Sequence, residues 1–172
     1  VQKEEISSEK VAKDIVLKRI AEAALQDDTE INLSKPIFSY PSRVIYRKNP
    51  LEAIALACLI FGSTLLLGTR GTGEADVDLF NEIRTIIRET RLPIILDAPS
   101  KIFPRCRSNP VALLYSVSDY ALSTSLAEGF GYGLYEPWLY GKAVPGRLPA
   151  RFKYQDGMDS SLLYTRLPLP SE

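Results

Sequence analysis

Thr64-Leu-Leu-Leu67, followed at once by Gly68-Thr-Arg-Gly-Thr-Gly73, is the stretch on which the fold class turns. A short apolar run without polar alternation is the pattern of a strand covered on both faces, and the glycines supply the turn that ends it. A strand of that kind belongs to a parallel sheet with helices on either side, so the flanking sequence should alternate between the two element types. Upstream, Pro50-Leu-Glu-Ala-Ile-Ala-Leu-Ala-Cys-Leu-Ile60 reads as a helix with Asn49 as its cap, Pro50 at its first position and Gly62 at its end. Before it, Ile37-Phe-Ser-Tyr40 reads as a first strand.

Downstream the alternation continues. Residues 78–90 place Leu79, Ile83, Ile86 and Ile87 on one side of a helix and Glu82, Arg84, Arg88 and Glu89 on the other. Pro93-Ile-Ile-Leu-Asp97 is a third strand, residues 110–116 a short helix, and Tyr120-Ala-Leu-Ser-Thr124 a fourth strand. A helix over residues 134–140, with Glu136 and Pro137 in its first turn, and a fifth strand, Lys142-Ala-Val-Pro145, complete the series. The fold class is therefore α/β, a doubly wound, Rossmann-like parallel sheet with its functional loops at the carboxyl ends of the strands. Residues 1–30 form a peripheral helix and linker, in which Val11, Ile15, Leu17, Ile20, Ala24 and Leu25 follow mostly helical spacing. Residues 31–150 are the body, and residues 151–172, without a clear period, a surface-wrapping tail.

Composition narrows the chemistry. With 172 residues, 45% hydrophobic and 24% charged, the chain is of ordinary globular make-up and long enough for one well-filled core. The 21 basic and 21 acidic side chains balance, which argues against a nucleic-acid or anionic-membrane partner and makes any anion site a local one. No histidine is present, so Ser-His-Asp and Cys-His catalysis and histidine-bearing zinc sites are excluded within this chain. Cys58 and Cys106 lack metal-ligand spacing, no metal site is expected, and the two read as thiols of a reducing compartment. The apolar runs at residues 53–61 and 64–67 are too short to span a bilayer, and a cytoplasmic location is the expectation.

Three segments carry candidate chemistry. Glu128-Gly-Phe-Gly-Tyr-Gly-Leu-Tyr-Glu136 sets a carboxylate at each end of a loop with glycines at 129, 131 and 133, followed by a helix. Bare amides and a helix amino terminus suit a diphosphate, and the carboxylates suit sugar hydroxyls; the bland alternative is a turn made only for chain reversal. Arg43 and Lys48, with Arg47 between them, follow the first strand and are suited to phosphate oxygens, or are a solvated basic loop. The Gly68 to Gly73 loop matches neither G-x-G-x-x-G nor the Walker pattern and reads as cleft lining, with Arg70 a further candidate contact.

Together these segments resemble the nucleotide-sugar-binding half of retaining glycosyltransferases of the GT-B fold. Ser39-Tyr-Pro-Ser-Arg43 through Lys48 is similar to the family's Gly-Arg-x4-Lys loop, and Thr64 to Gly68 to its Leu-x-Ile-x-Gly strand. Ser118-Asp119 to Ser125 resembles its Ala-Asp to Pro-Ser strand, and Glu128 and Glu136 have its E-x7-E spacing, with Gly-Lys-Ala-Val after it. The resemblance implies that Glu128 meets the donor sugar, that the backbone of Gly129, Phe130 and Gly131 lies beside that sugar, and that amides near Gly133 and Leu134 hold the diphosphate. It implies that Glu136 binds the ribose, and that Arg43 and Lys48 stabilise the departing diphosphate. No cofactor is implied: the UDP-, GDP- or ADP-sugar is itself the substrate, and a retaining transfer of this type needs no histidine from this half.

The chain departs from the pattern at Tyr132-Gly133, at Pro137 and at Gly146-Arg-Leu-Pro149, where the family often has a Gly-Gly pair. Since GT-B enzymes bind the acceptor between two such domains, the resemblance covers one domain of a two-domain enzyme, with the acceptor-binding domain as the missing partner. The other readings are a non-catalytic Rossmann-like module for protein interaction or oligomerisation, in which Trp138, Tyr140 and Leu167 serve an interface, and a GT-B epimerase or phosphorylase.

Overall fold

The computed structural model describes residues 2–104, 109–129, 131–149 and 161–165, with the side chains of residues 2–12 and of Ile60 excepted. Strands β1 (Ile37–Tyr40), β2 (Thr64–Leu67), β3 (Ile94–Ile95) and β4 (Tyr120–Ala121) form one parallel sheet in the order β3-β2-β1-β4. Isolated parallel bridges Tyr120↔Ala143 and Ser123↔Gly146 carry β5 (Gly146–Arg147) alongside β4, and β6 (Leu163–Tyr164) pairs parallel with β5. The resulting lateral order is 3-2-1-4-5-6, that of a doubly wound sheet.

Side-chain alternation divides the core. Phe38, Tyr40, Leu65, Leu67 and Ile94 face the layer made by α2 (Pro50–Ile54), the π-helical turn Ala55–Ile60 and α3 (Glu74–Thr90). Ile37, Leu66 and Ile95 face α1 (Gln2–Gln26), α4 (Ala98–Ile102) and α5 (Pro110–Val117). Every residue of β1 and β2 is buried, as two-sided coverage requires. The crossovers from β1 to β2 to β3 lie on one face and the return from β3 to β4 on the other, which is how right-handed connections behave when winding reverses direction.

The expected elements are present with shifted limits. α3 begins four residues before the expected Asp78, because Gly73 ends the turn in an extended conformation and Glu74 and Asp76 suit the amino-terminal turn. The helix α6 (Tyr132–Leu139) likewise starts early, so Glu136 is its fifth residue and Pro137 stands inside it rather than in the first turn. The fifth strand falls at Gly146–Arg147, just beyond the expected segment, with Ala143 retaining a bridge. α1 packs Ile20, Ala23 and Ala24 into the core beside α4 and α5, whereas Ile15 and Leu25, expected on its apolar face, are exposed.

Two glycines are required where the carboxyl-end loops touch. A Cβ at Gly68 would stand 2.1 Å from the Ser42 carbonyl oxygen, and one at Gly146, whose φ is +145°, 2.0 Å from the Ser123 carbonyl oxygen. These obstructions are backbone, so Gly68→Ala and Gly146→Ala should each cost about 3 kcal/mol or more. Gly129→Ala, which meets nothing within 4 Å, should stay within about 0.5 kcal/mol. Denaturant titration of the three variants checks the contrast, and equal effects would contradict this packing.

A second expectation concerns alkali. Burial, with smaller contributions from nearby carboxylates, raises the phenols of Tyr40, Tyr115 and Tyr164 above their ordinary value of 10.0. The unfolded chain releases these protons near pH 10 and the folded chain does not, so stability is intact below pH 10 and falls above it. The slope is up to about 1.4 kcal/mol per pH unit for each phenol. Absorbance titration should show three tyrosinates forming only as the chain unfolds; ordinary ionisation of all nine tyrosines in a folded chain would contradict it.

Candidate functional site

The chain leaves β1 at Tyr40 and β4 at Ala121, on adjacent strands of the sheet, and the loops that follow them meet at the carboxyl edge. After β1, Val44 donates its N–H to Thr69 O at 2.8 Å and forms a bridge with Arg70, so the loops after β1 and β2 run side by side. A 3₁₀ turn at Tyr46–Lys48 then ends on Asn49, which has left-handed backbone angles (φ 53°, ψ 57°), before α2 begins at Pro50.

The loop after β4 is stitched to this turn. Leu126 N–H donates to Arg47 O at 3.0 Å, and Arg47 Nη1 donates to Ala127 O at 2.7 Å. The Thr124 hydroxyl donates to Asn49 O at 2.8 Å, and the Tyr40 hydroxyl donates to Lys48 O. With its backbone so fixed, Lys48 forms an ion pair with Glu128 in which the side chains are only 14% and 7% exposed. Two charges that are this far removed from water persist only as partners.

Gly131 takes left-handed angles (φ 76°, ψ 19°) and caps α6, and its carbonyl accepts from Leu134 N at 2.8 Å and Tyr135 N at 3.2 Å. Leu134, expected to offer its amide outward, thus commits it within the turn, and its side chain is fully buried. Gly133 is the residue of this helix that faces the ion pair: a Cβ there would lie 3.7 Å from Glu128 Oε1 and 3.9 Å from Ser42 Oγ. Its amide is that of the second helical residue, ahead of Leu134 and Tyr135, whose amides bond to Gly131 O. Pro137, four residues on, lacks the N–H that would have bonded the Gly133 carbonyl. Glu136 shares a face of α6 with Gly133, is half-buried, and lies near enough to Tyr115 to help raise that phenol.

The structure thus brings Lys48, Glu128 and Gly133 together, with Ser42 as an addition that the sequence reading did not single out. Arg43 is exposed in the loop after β1, Gly129 is exposed in the loop after β4, and Phe130 lies outside the described residues. The Gly68 to Gly73 loop lines a separate cavity of about 800 Å³ along the β3 edge, shared with Phe80, Arg84, Arg88 and Asp97. Trp138 is half-buried edge-on to Tyr135, Tyr140 is exposed, and Leu167 and Cys106 lie outside the described residues. Cys58 is buried, which pushes its thiol up to about 12 and leaves it inert at neutral pH.

A second carboxylate sits behind the turn at residues 46–49. Glu52 of α2 is buried and accepts from Arg147 Nη2 at 2.8 Å, from Arg147 Nε at 3.1 Å, and from the Tyr164 hydroxyl and Asn49 Nδ2. One acid inside an otherwise apolar helix was the sequence signal for such a centre, since a buried carboxylate must have partners.

No protein-family model matches the sequence, and no curated protein matches it. Among solved structures, the chain is similar to the catalytic domain of starch synthase IV from Arabidopsis thaliana bound to ADP and acarbose, with a TM-score of 0.52 and 14% identity. The match covers 88% of this chain and 32% of that one, so this chain spans about a third of the length of its structural relative. Among the described residues no helix is long and apolar enough to cross a membrane. The fold is α/β with a parallel sheet, similar to a GT-B glycosyltransferase domain.

Proposed function

We propose that the chain is the donor-binding half of a retaining glycosyltransferase, which transfers a sugar from a UDP-, GDP- or ADP-sugar to an acceptor held by a second domain. The observation that carries the reading is the convergence of Lys48, Glu128, Ser42 and the first turn of α6 at the switch between β1 and β4. Crevices at that point of a doubly wound sheet are where ligands bind. The starch synthase of similar fold was solved with ADP, which supports a nucleotide as the ligand class.

In this reading the amide of Gly133 and the partial positive charge of α6 receive the diphosphate, beside Lys48. Lys48 and Glu128 hold each other. An arriving diphosphate offers Lys48 a second anion, and its shift toward the phosphates turns the Glu128 carboxylate over to the hydroxyls of the donor sugar. Arg43, exposed at the mouth, adds a guanidinium to the charge that develops as the diphosphate leaves. Glu136 accepts from the ribose hydroxyls, and the backbone of Gly129, Phe130 and Gly131 lies beside the sugar. The barrier is lowered by stabilising leaving-group charge, with the donor as substrate and no cofactor called on. The reading places the work in the cytoplasm, where nucleotide sugars are made.

Calorimetry with UDP, GDP and ADP and their sugars tests this. Lys48→Met should weaken diphosphate binding at least about tenfold, equivalent to about 1.4 kcal/mol, and Glu136→Ala should weaken it by a similar factor through the ribose. Glu128→Gln should leave nucleoside diphosphate affinity unchanged or tighter, because it releases Lys48, while lowering turnover of the two-domain enzyme by at least about a hundredfold. Equal losses of affinity and turnover in Glu128→Gln would contradict its assignment. Failure of every nucleotide to bind at millimolar concentration would favour the interaction-module reading instead.

A further inference from the structure

The pair Lys48 and Glu128 is not self-supporting. Lys48 leaves the main chain at a turn whose next residue, Asn49, holds left-handed angles, which asparagine tolerates better than most non-glycine residues. The Asn49 side chain does not cap α2; it donates instead to Glu52. Glu52 is in turn held by two nitrogens of Arg147, on β5, and by the Tyr164 hydroxyl, on β6. The remaining Arg147 nitrogen donates to Thr165 O at 3.1 Å, which leaves the guanidinium little freedom to rotate.

From this geometry we propose that Glu52 is a positioning residue for Lys48: it draws Asn49 Nδ2 inward, fixes the 48–49 peptide against Thr124 and Tyr40, and so aims the ammonium at Glu128. The edge formed by β5 and β6 thereby acts on a site it does not touch. Arg147 and Tyr164 form the clamp, Glu52 is the carboxylate they grip, and Asn49 is the link to the site. The Tyr40 and Thr124 hydroxyls donate to carbonyls of the same turn, Lys48 O and Asn49 O, so the turn is held from both directions. Glu52 acts here through Asn49 and not by contact with the Lys48 ammonium.

The consequence for a bound diphosphate rests on the function proposed above, but the positioning claim does not, and it is tested without nucleotide. The interaction of Lys48 with Glu128 is measured in the full chain by a urea-unfolding cycle of wild type, Lys48→Met, Glu128→Gln and the double variant. The cycle is then repeated with Glu52→Gln added throughout and, as a control for general destabilisation, with the core substitution Ile83→Val. The coupling, expressed as a factor in the unfolding equilibrium constant, should fall at least about fivefold with Glu52→Gln and change less than about twofold with Ile83→Val. Asn49→Gly provides a second route, because glycine keeps the left-handed turn while cutting the link to Glu52. It too should lower the coupling about fivefold or more, and it decides the matter if Glu52→Gln does not fold. Undiminished coupling in either background would overturn the proposal and leave Glu52 as a structural ion-pair partner only. If the coupling falls as expected and no nucleotide binds, the positioning stands and the donor-site reading fails.

Discussion

Because β1 is flanked by β2 on one side and β4 on the other, the chain has to leave the middle of its sheet in two opposed directions. Parallel pairing demands long crossovers, and right-handedness sends those of one direction to one face and those of the other direction to the opposite face. The crossover helices α2 to α5 then lie over the two faces of the sheet rather than over the carboxyl edge where β1 meets β4. The loops at that edge must support one another, and the contacts between residues 40–49 and 122–128 are how they do so. The meeting of these loops is a by-product of topology, and the residues they bring together set its chemistry.

The polar groups in this part of the core are paired, and each pair ties one strand or loop to another. Ser39 and Ser118 share a hydrogen bond of 2.9 Å behind β1, and Asp119 accepts from Ile37 N at 2.7 Å to align β4 with β1. Glu52 joins α2 to β5 and β6, while Thr124 and Tyr40 converge on the backbone of the 3₁₀ turn. Buried hydrogen-bonded groups of this kind specify one arrangement more sharply than apolar contact does, because an unmade partner is costly. The apolar layers give the sheet its cover; the polar pairs set the register of its carboxyl edge.

Much of this arrangement was legible in the sequence, for physical reasons that also mark where legibility stopped. The strands Ile37–Tyr40 and Thr64–Leu67 were readable because two-sided burial leaves an unbroken run bounded by turn residues. Helix limits were less so: α6 starts at Tyr132 because Gly131 supplies the left-handed cap, and Pro137 is accommodated inside the helix. The one-turn helix α4 was missed because Asp97, in left-handed geometry, looked like the end of a strand. The short strand β6 carries too few residues to show a period and depends on β5 for its pairing. At the site, Glu128, Lys48 and the glycine loop stood out by residue type and spacing. Ser42, Glu52, Arg147 and Tyr164 did not, since their roles arise from contacts across as many as 112 positions of sequence.

The account is tested most directly by a crystal structure of the chain soaked with ADP. The diphosphate should lie within about 3 Å of Gly133 N and Lys48 Nζ, with the Glu136 carboxylate on the ribose. A diphosphate seated instead on Arg84 and Arg88 in the cavity along the β3 edge, with the Lys48 and Glu128 pair undisturbed, would contradict it.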